Sequence, residues 1–164
     1  MKIFFAILAV LMLTGCGGQP VLERVEDPWV EVAAREKTLQ VRLPAEAAAP
    51  ALQSPENGKL YLCNGYVLTL QTFSGGDLDE TMRQITGFSR EQITCLQTRE
   101  GEMDKYSCVW SSAGEGGDHV GRAVILDDGS YHYTVTVMAD FETAGELTDT
   151  WQDLLNSVSL TDTD

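Results

Sequence analysis

The segment Tyr131–Ala139 alternates strictly between two kinds of side chain. Tyr, Val and Ala hold the odd positions, and His132, two threonines and Met138 hold the even ones. Because successive side chains of a β-strand point to opposite faces, a period of two predicts a strand with one face in a core. Asp128-Gly129 precedes this segment, and such a pair between apolar runs indicates a tight hairpin. The sequence therefore favours an antiparallel sheet.

Further hairpin signals divide the chain into short strands. Asn64-Gly65 lies between two apolar runs, where both turn positions favour a positive φ, and Gly101 marks another turn. The strands that these patterns predict are Leu39–Leu43, Lys59–Cys63, Tyr66–Phe73, Ile93–Thr98, Lys105–Ser111, Val120–Leu126 and Tyr131–Ala139. Ala45–Gly58, which holds two prolines, is expected to be a loop, and Gly114–Asp118 a long hairpin turn.

A helix is expected between the turn at Asn64-Gly65 and the turn at Gly101. Asp77 and Glu80 have the spacing of a capping box, and Gly87 is a natural C-terminal stop. The apolar stripe between them consists of Leu78, Met82 and Ile85. This helix should pack its stripe on the sheet.

An amphipathic helix is expected near the C-terminus. Thr143 and Glu146 have the spacing of a second capping box. The apolar face follows the pattern i, i+4, i+7, i+8, i+11 and consists of Leu147, Trp151, Leu154, Leu155 and Val158. Packing of this face on the sheet gives an α+β fold class, an antiparallel sheet packed with helices.

The order of these elements resembles the PsbP-like family over roughly residues 38–160. The resemblance is carried by a first strand ending at Leu43-Pro44, by hairpins around an inserted helix, and by a last helix ending in Leu154-Leu155-Asn156-Ser157-Val158. It implies an α/β/α sandwich with a C-terminal amphipathic helix. PsbP-like domains are mostly non-catalytic accessory proteins that dock on membrane complexes, so the resemblance also implies a binding role.

The chain begins with an export signal. Lys2 is followed by eleven consecutive apolar residues, Ile3–Leu13. A spanning helix needs about 20 apolar residues, whereas the apolar region of an export signal has about 7–15. Residues 1–15 are therefore predicted to be a signal peptide.

The end of this signal resembles the lipobox of bacterial lipoproteins. It reads Leu13-Thr14-Gly15-Cys16. The resemblance implies cleavage before Cys16 and a thioether-linked diacylglyceryl group on its sulfur. Each buried CH₂ contributes about 0.8 kcal/mol and two chains hold durably, so the lipid would anchor the protein. The alternative is an ordinary export signal followed by a chance cysteine.

These motifs divide the chain into four parts. Residues 1–15 are the lipoprotein signal peptide, 16–37 the lipid anchor and tether, 38–160 a single α+β domain, and 161–164 a polar, frayed tail. Within the tether, Trp29–Lys37 is expected to gain a short helix or to dock on the domain. The predicted location is extracytoplasmic, on the cell membrane or the outer membrane, and the sequence leaves that choice open.

The acidic balance excludes some partners. The formal charge is −14, and loss of Lys2 with the signal makes it −15. Nucleic-acid binding needs clustered Lys and Arg, and adsorption to anionic lipid by charge needs them too. We expect no nucleic-acid partner, and a domain that stands clear of the membrane surface.

Three cysteines fall inside the domain. A hairpin turning between Gly101 and Glu102 places Cys95 directly opposite Cys108, which predicts a disulfide in an exported protein. The alternative is a pair of buried free thiols. Cys63 has no neighbouring His or Lys in the sequence that would depress its pKa, so a redox or nucleophilic role is not expected.

No metal, cofactor or catalytic motif is found. His119 and His132 are the two histidines, and they lack the spacing of a zinc site. His132 is expected on a surface or between layers. Gly114–Asp118 is glycine-rich without the Lys-Ser/Thr of a P-loop, and Asp77, Asp79 and Glu80 lack the EF-hand spacing. The chain is expected not to be an enzyme.

Two classes of function are compatible with these observations. The first is a lipoprotein whose domain binds an envelope or surface protein, with a toxin-neutralising (immunity-type) lipoprotein as a variant. The second is a small-ligand or metal-binding module, possibly a hydrolase, based on His119, Asp118, Glu115 and His132. Metal analysis of the purified domain separates the second from the first.

Overall fold

Ten strands and three helices make up the described part of the chain. The structure is a computed structural model that describes residues 21–25, 37–54, 58–114 and 117–162, with the backbone alone for 21–25 and 54. The strands are β1 (Val21–Val25), β2 (Lys37–Leu43), β3 (Leu52–Ser54), β4 (Gly58–Leu62), β5 (Val67–Ser74), β6 (Thr94–Glu100), β7 (Met103–Gly114), β8 (Gly117–Asp127), β9 (Tyr131–Asp140) and β10 (Ser159–Asp162). The helices are α1 (Leu78–Thr86), α2 (Phe141–Ala144) and α3 (Thr148–Asn156), with a 3₁₀ turn at Arg90–Gln92.

The strands form two antiparallel sheets. Seven of them lie in the order β3-β4-β5-β9-β8-β7-β6, and the other three in the order β1-β2-β10. Every strand pair that the structure describes is antiparallel, as the hairpin signals predict. The mixed α+β class with antiparallel sheets is therefore confirmed.

The larger core lies on one face of the seven-stranded sheet. It is formed by inward side chains of β4, β5, β8 and β9 together with β2 and α3. Val124, Val135 and Val137 from the sheet meet Trp151 and Leu154 from α3 there. Helix α3 and the three-stranded sheet thus pack side by side on this face.

The opposite face is covered in part by α1. Met82 of the helix packs with Tyr106, Cys108 and Ile125 of the sheet, and Leu78 and Ile85 of the predicted stripe pack at the margin. Because Val124 and Ile125 alternate along β8, α1 and α3 lie on opposite faces.

Strand β9 lies in the middle of the sheet and is buried on both faces from Tyr131 to Val137. The alternating pattern correctly predicts a strand, but the expectation of one core face understates its burial. The polar positions, His132, Thr134 and Thr136, are buried as well. Cover by α1 and by neighbouring side chains of the sheet accounts for this.

The turn glycines act as predicted, with one correction. Gly65 and Gly129 have φ of +83° and +86°. The backbone N–H of Cys63 donates to the carbonyl of Tyr66 at 2.9 Å, which closes the hairpin around Asn64-Gly65. Asn64 itself keeps a negative φ, so only one of the two turn positions is left-handed.

The cap of α1 is confirmed in its main parts. The Asp77 carboxylate accepts a hydrogen bond from the backbone N–H of Asp79 at 2.9 Å, and Gly87 ends the helix with a φ of +81°. The Glu80 carboxylate instead accepts a hydrogen bond from the side-chain amide of Gln84, one turn further along the helix. Asp77 thus caps the helix without the reciprocal contact of a capping box.

The prediction of a capping box at Thr143 and Glu146 is wrong. Helix α2 ends at Ala144, and α3 begins at Thr148 after Leu147, which makes no side-chain cap. Ala144 is buried in the larger core, and Gly145 follows it. Glycine disfavours helix continuation by about 1 kcal/mol, so docking of Ala144 and the glycine separate the two helices. Strand β10 follows α3, so this helix is not the last element.

Three strands lie where the sequence predicts none. Val21–Val25 falls in the expected tether, Leu52–Ser54 in the expected loop, and Ser159–Asp162 reaches into the expected tail. β1 and β10 pair with the two edges of β2, which extends the folded unit beyond 38–160 on both sides. The signal peptide, Cys16, residues 17–20, most of the predicted helix at 29–37 and the last two residues lie outside the described part.

Candidate functional site

Strand β6 forms an open edge of the seven-stranded sheet. It pairs with β7 alone among the described strands, so its outer side presents backbone N–H and C=O groups that no described strand pairs. Every residue of β6 except Cys95 is exposed. Such an edge is a template on which another extended chain can pair.

Two apolar side chains lie beside this edge. Leu96 on β6 is 65% exposed, and Val109 on β7 is also exposed. Leu96 pairs with Ser107 and Thr94 pairs with Val109, so both apolar side chains point to the same face. That face is the one that α3 covers further along the sheet. We call β6 with Leu96 and Val109 the open edge.

Polar groups border the open edge. Lys105 lies 3.9 Å from the carboxylate of Glu100, and the Arg90 guanidinium stands 5.6 Å from the ring centre of Tyr106. An apolar centre with a charged border is typical of a protein-binding surface. Nothing in the sequence patterns distinguishes Leu96 from a core residue, so sequence reasoning missed this surface.

On the other face of the same two strands lie Cys95 and Cys108. The predicted register is confirmed, since the two residues are direct partners across β6 and β7. Their sulfur atoms lie 2.7 Å apart as free thiols. Burial raises the pKa of the Cys108 thiol well above its usual range, and its hydrogen bond with Cys95 raises it further. The neutral thiol is therefore the stable form of Cys108 in the reduced pair.

We propose that oxidation joins this pair, as the sequence predicts. Two thiols lose two protons and two electrons to an external oxidant of the exported compartment, and one S–S bond forms. The loop closed is short, so we expect stabilisation of about 3 kcal/mol. Intact mass should fall by about 2 Da on oxidation, and the melting temperature should rise by about 6–12 °C. Cys63→Ser should leave both changes intact, whereas an unchanged mass after oxidation would contradict the pairing.

His132 is held between the sheet and α1. Its side chain is nearly fully buried, its Nδ1 lies 2.7 Å from the Thr81 hydroxyl, and its Nε2 lies 3.6 Å from an Asp127 carboxylate oxygen. The structure thus places His132 between layers, one of the two positions expected. Sequence patterns do not connect Thr81 with His132, because the two residues lie 51 positions apart. Asp127 lies opposite His132 across the β8–β9 hairpin, where its type alone does not indicate a contact.

This Thr81–His132–Asp127 cluster resembles a hydroxyl activated by an imidazole and a carboxylate. A cleft of about 370 Å³ between Phe73 and Gln84 has Thr81 in its lining. Thr81 is itself buried, however, and a hydroxyl without access to substrate cannot act as a nucleophile. The cluster links α1 to the sheet by buried, satisfied polar contacts.

The loop around His119 is shorter than expected. β7 runs to Gly114 and β8 starts at Gly117, which leaves residues 115 and 116 outside the described part. His119 pairs with Asp140 across β8 and β9, and its Nε2 lies 3.1 Å from the carboxylate. In the described ranges, no three His, Cys, Asp or Glu side chains form a group that could hold a metal ion.

Burial also favours the neutral thiol form of Cys63. Desolvation raises the pKa of its thiol, and the Glu46 carboxylate raises it further, against a hydrogen bond with Tyr66 that lowers it. Burial raises the pKa of Tyr66, and Cys63 and the Glu46 carboxylate raise it further. These shifts are opposite to those of an activated thiol.

Lipidation of Cys16 falls outside the described residues. None of the helices in the described ranges has the length and apolar character needed to cross a bilayer.

Comparison with known proteins gives little further information. No protein family matches the chain by sequence, and no curated protein matches it either. Among solved structures, it is similar to the crystal structure of LpqN, described as involved in cell envelope biogenesis of Mycobacterium tuberculosis. The identity is 14%, the TM-score is 0.40, and the match covers 90% of this chain and 87% of that one. At this TM-score the likeness does not define a shared fold.

Proposed function

We propose that this protein is an extracytoplasmic lipoprotein, anchored by lipid on Cys16, whose domain is a non-catalytic accessory module that binds an envelope or surface protein. The observation that carries the binding role is the open edge, with an unpaired strand border and two exposed apolar side chains on one face. The anchor rests on the lipobox resemblance at residues 13–16. The PsbP-like resemblance also belongs to this proposal, and helices on opposite faces of an antiparallel sheet support it.

The open edge suits a protein partner better than a small ligand. A partner strand added to β6 would gain backbone hydrogen bonds, and Leu96 and Val109 would supply apolar contact beside it. The surface is flat and lies at the rim of the sheet, whereas small-ligand sites are concave and enclosed. We infer an extended or strand-like segment of the partner.

The charge of the domain indicates what kind of partner to expect. A mature formal charge of −15 should accelerate encounter with a basic protein and make association sensitive to salt. An accessory subunit of a membrane complex and an immunity-type inhibitor of a basic toxin both satisfy this condition. They differ in the identity of the partner, which the following experiment determines.

The test is capture of the partner by the lipidated protein, cross-linked in intact cells and identified by mass spectrometry. We expect one stoichiometric protein, lost at least tenfold with Leu96→Lys. Gln84→Lys is the matched control, because it adds the same charge at an exposed position of α1, which packs on the opposite face of the sheet. Capture should also weaken as salt is raised.

Two results would contradict the proposal. Equal loss of the partner with Gln84→Lys would show that the open edge is not the contact surface. Absence of any partner from abundant, correctly lipidated protein would remove the binding role, and a metal and metabolite screen of the purified protein would follow.

A further inference from the structure

We infer that the end of the domain formed by Leu62, Met138 and Phe141 rests on the lipid bilayer that holds the Cys16 anchor, with these apolar side chains in the interfacial region. This inference rests on the proposed lipid anchor and adds a second, non-covalent contact to it. It differs from the sequence expectation of a domain that stands clear of the membrane.

Exposed apolar side chains concentrate at this end. Leu62 and Phe141 are both 64% exposed, and Leu52 and Met138 are exposed too. Four of the six large apolar side chains that are exposed in the described part belong to this group, and the other two belong to the open edge. We call Leu52, Leu62, Met138 and Phe141 the apolar end.

The strand register joins part of this group into a continuous strip. Leu62 on β4 lies opposite Val67 on β5, and Val67 lies opposite Met138 on β9. All three side chains point to the sheet face that α1 covers elsewhere. The row continues through Gly121 on β8, which lies opposite Met138, to Trp110 on β7. The Trp110 ring packs directly over Gly121, where a Cβ added to the glycine would lie within 2.3 Å of the ring. The strip therefore runs across three neighbouring strands on one face of the sheet.

Strand β1 brings the anchor close to the folded unit. It starts at Val21, which pairs with Leu43, so only residues 17–20 separate the strand from Cys16. Five residue steps span at most about 17 Å when fully extended. The start of β1 must therefore stay near the bilayer surface once Cys16 is lipidated.

The start of β1 and the apolar end lie at the same end of the domain. Three residues after Leu43, the Glu46 carboxylate is close enough to raise the pKa values of Cys63 and Tyr66. Cys63 and Tyr66 close the hairpin turn that follows Leu62.

The same turn reaches helix α2. A Cβ added to Gly65 would lie 3.0 Å from the Thr143 side chain, two residues beyond Phe141. The start of β1, the hairpin and α2 thus lie at the same end of the domain, so a short tether to a lipidated Cys16 would hold the apolar end near the bilayer.

The charges at this end determine which lipid it contacts. Glu46, Asp140 and Glu142 are carboxylates near the apolar end, and the whole domain is acidic. Contact should therefore depend on apolar insertion, favour zwitterionic over anionic vesicles, and change little with salt. This behaviour is opposite to the salt-sensitive binding expected of the open edge.

The test is hydroxyl-radical footprinting of the purified lipidated protein in phosphatidylcholine vesicles. The reference is the same mature chain, residues 16–164, made without its lipid and free in solution. We expect modification of Leu62, Met138 and Phe141 to fall at least threefold on the vesicles, while Leu96 and Val109 stay unchanged as internal controls. Met138→Glu with Leu62→Glu should restore modification of Phe141, while the variant still floats with the vesicles.

Three other outcomes would each identify a different cause and overturn the inference. Equal protection of Leu96 and Leu62 would indicate association between copies. Protection already present in the unlipidated chain would mean that a segment of the chain itself covers the apolar end. Protection in native membranes but not in pure lipid would indicate a protein partner. Failure of the wild type to float would instead remove the proposed anchor, which separates that failure from failure of the inference.

Discussion

Replacing Trp151 by alanine should lower the free energy of unfolding by about 3–5 kcal/mol. The side chain is 0% exposed and is the largest of the fully buried side chains. Its ring meets the Tyr66 ring edge-on at 6.0 Å, and the guanidinium of Arg122 on β8 stands 5.8 Å from the centre of the Trp151 ring. Truncation leaves a cavity at the point where α3, β8 and the hairpin after β4 meet.

The measurement is equilibrium unfolding in urea, with the midpoint and the slope fitted separately. Gln152→Ala is the matched control, because Gln152 is the next residue of α3 and is exposed, and it should change stability by less than about 0.5 kcal/mol. A loss below about 1.5 kcal/mol for Trp151→Ala would show that α3 is not docked as described. Domains are stable by only about 5–15 kcal/mol, so the predicted loss is a large share of the total.

The sheet could be predicted to a large extent because its signals are local. Asn64-Gly65 and Asp128-Gly129 specify turns within a few residues, and the run after each turn supplies the strand. The pairing of Cys95 with Cys108 follows from the position of one turn, and the structure confirms it. Short hairpins make such register arguments possible, since the two strands of a hairpin follow one another along the chain, as β6 and β7 do.

The parts that sequence reasoning missed depend on distant contacts. β1 and β10 are strands because β2 offers them two edges, and residues 21–25 and 159–162 show no strong strand pattern of their own. α3 begins at Thr148 because Ala144 docks in the core, which the capping pattern at Thr143 does not encode. The burial of His132 depends likewise on Thr81, 51 residues away.

The candidate surfaces could not be predicted for a related reason. Leu62 and Leu96 lie in strands that the sequence predicts, but a local pattern does not show which parts of a sheet face another element covers. They are exposed because no helix of the described part covers those regions of the sheet. An uncovered face is a property of the whole fold, and the two regions proposed as membrane and partner contacts lie towards opposite edges of the sheet.

Replacing Cys16 by serine should abolish acylation, since a serine hydroxyl cannot form the thioether that holds the diacylglyceryl group. The lipid supplies at least two chains at about 0.8 kcal/mol per buried CH₂, so no contact of the folded domain replaces it. We expect incorporation of labelled fatty acid to fall to background. The mass of the protein should then lack the lipid and include residues 1–15, because cleavage after Gly15 does not occur. Cys63→Ser is the matched control, because it removes a thiol from the domain and leaves the lipobox intact. Fatty-acid labelling that persists in Cys16→Ser would place the lipid on another residue. That result would contradict both the proposed anchor and the proposed orientation of the apolar end.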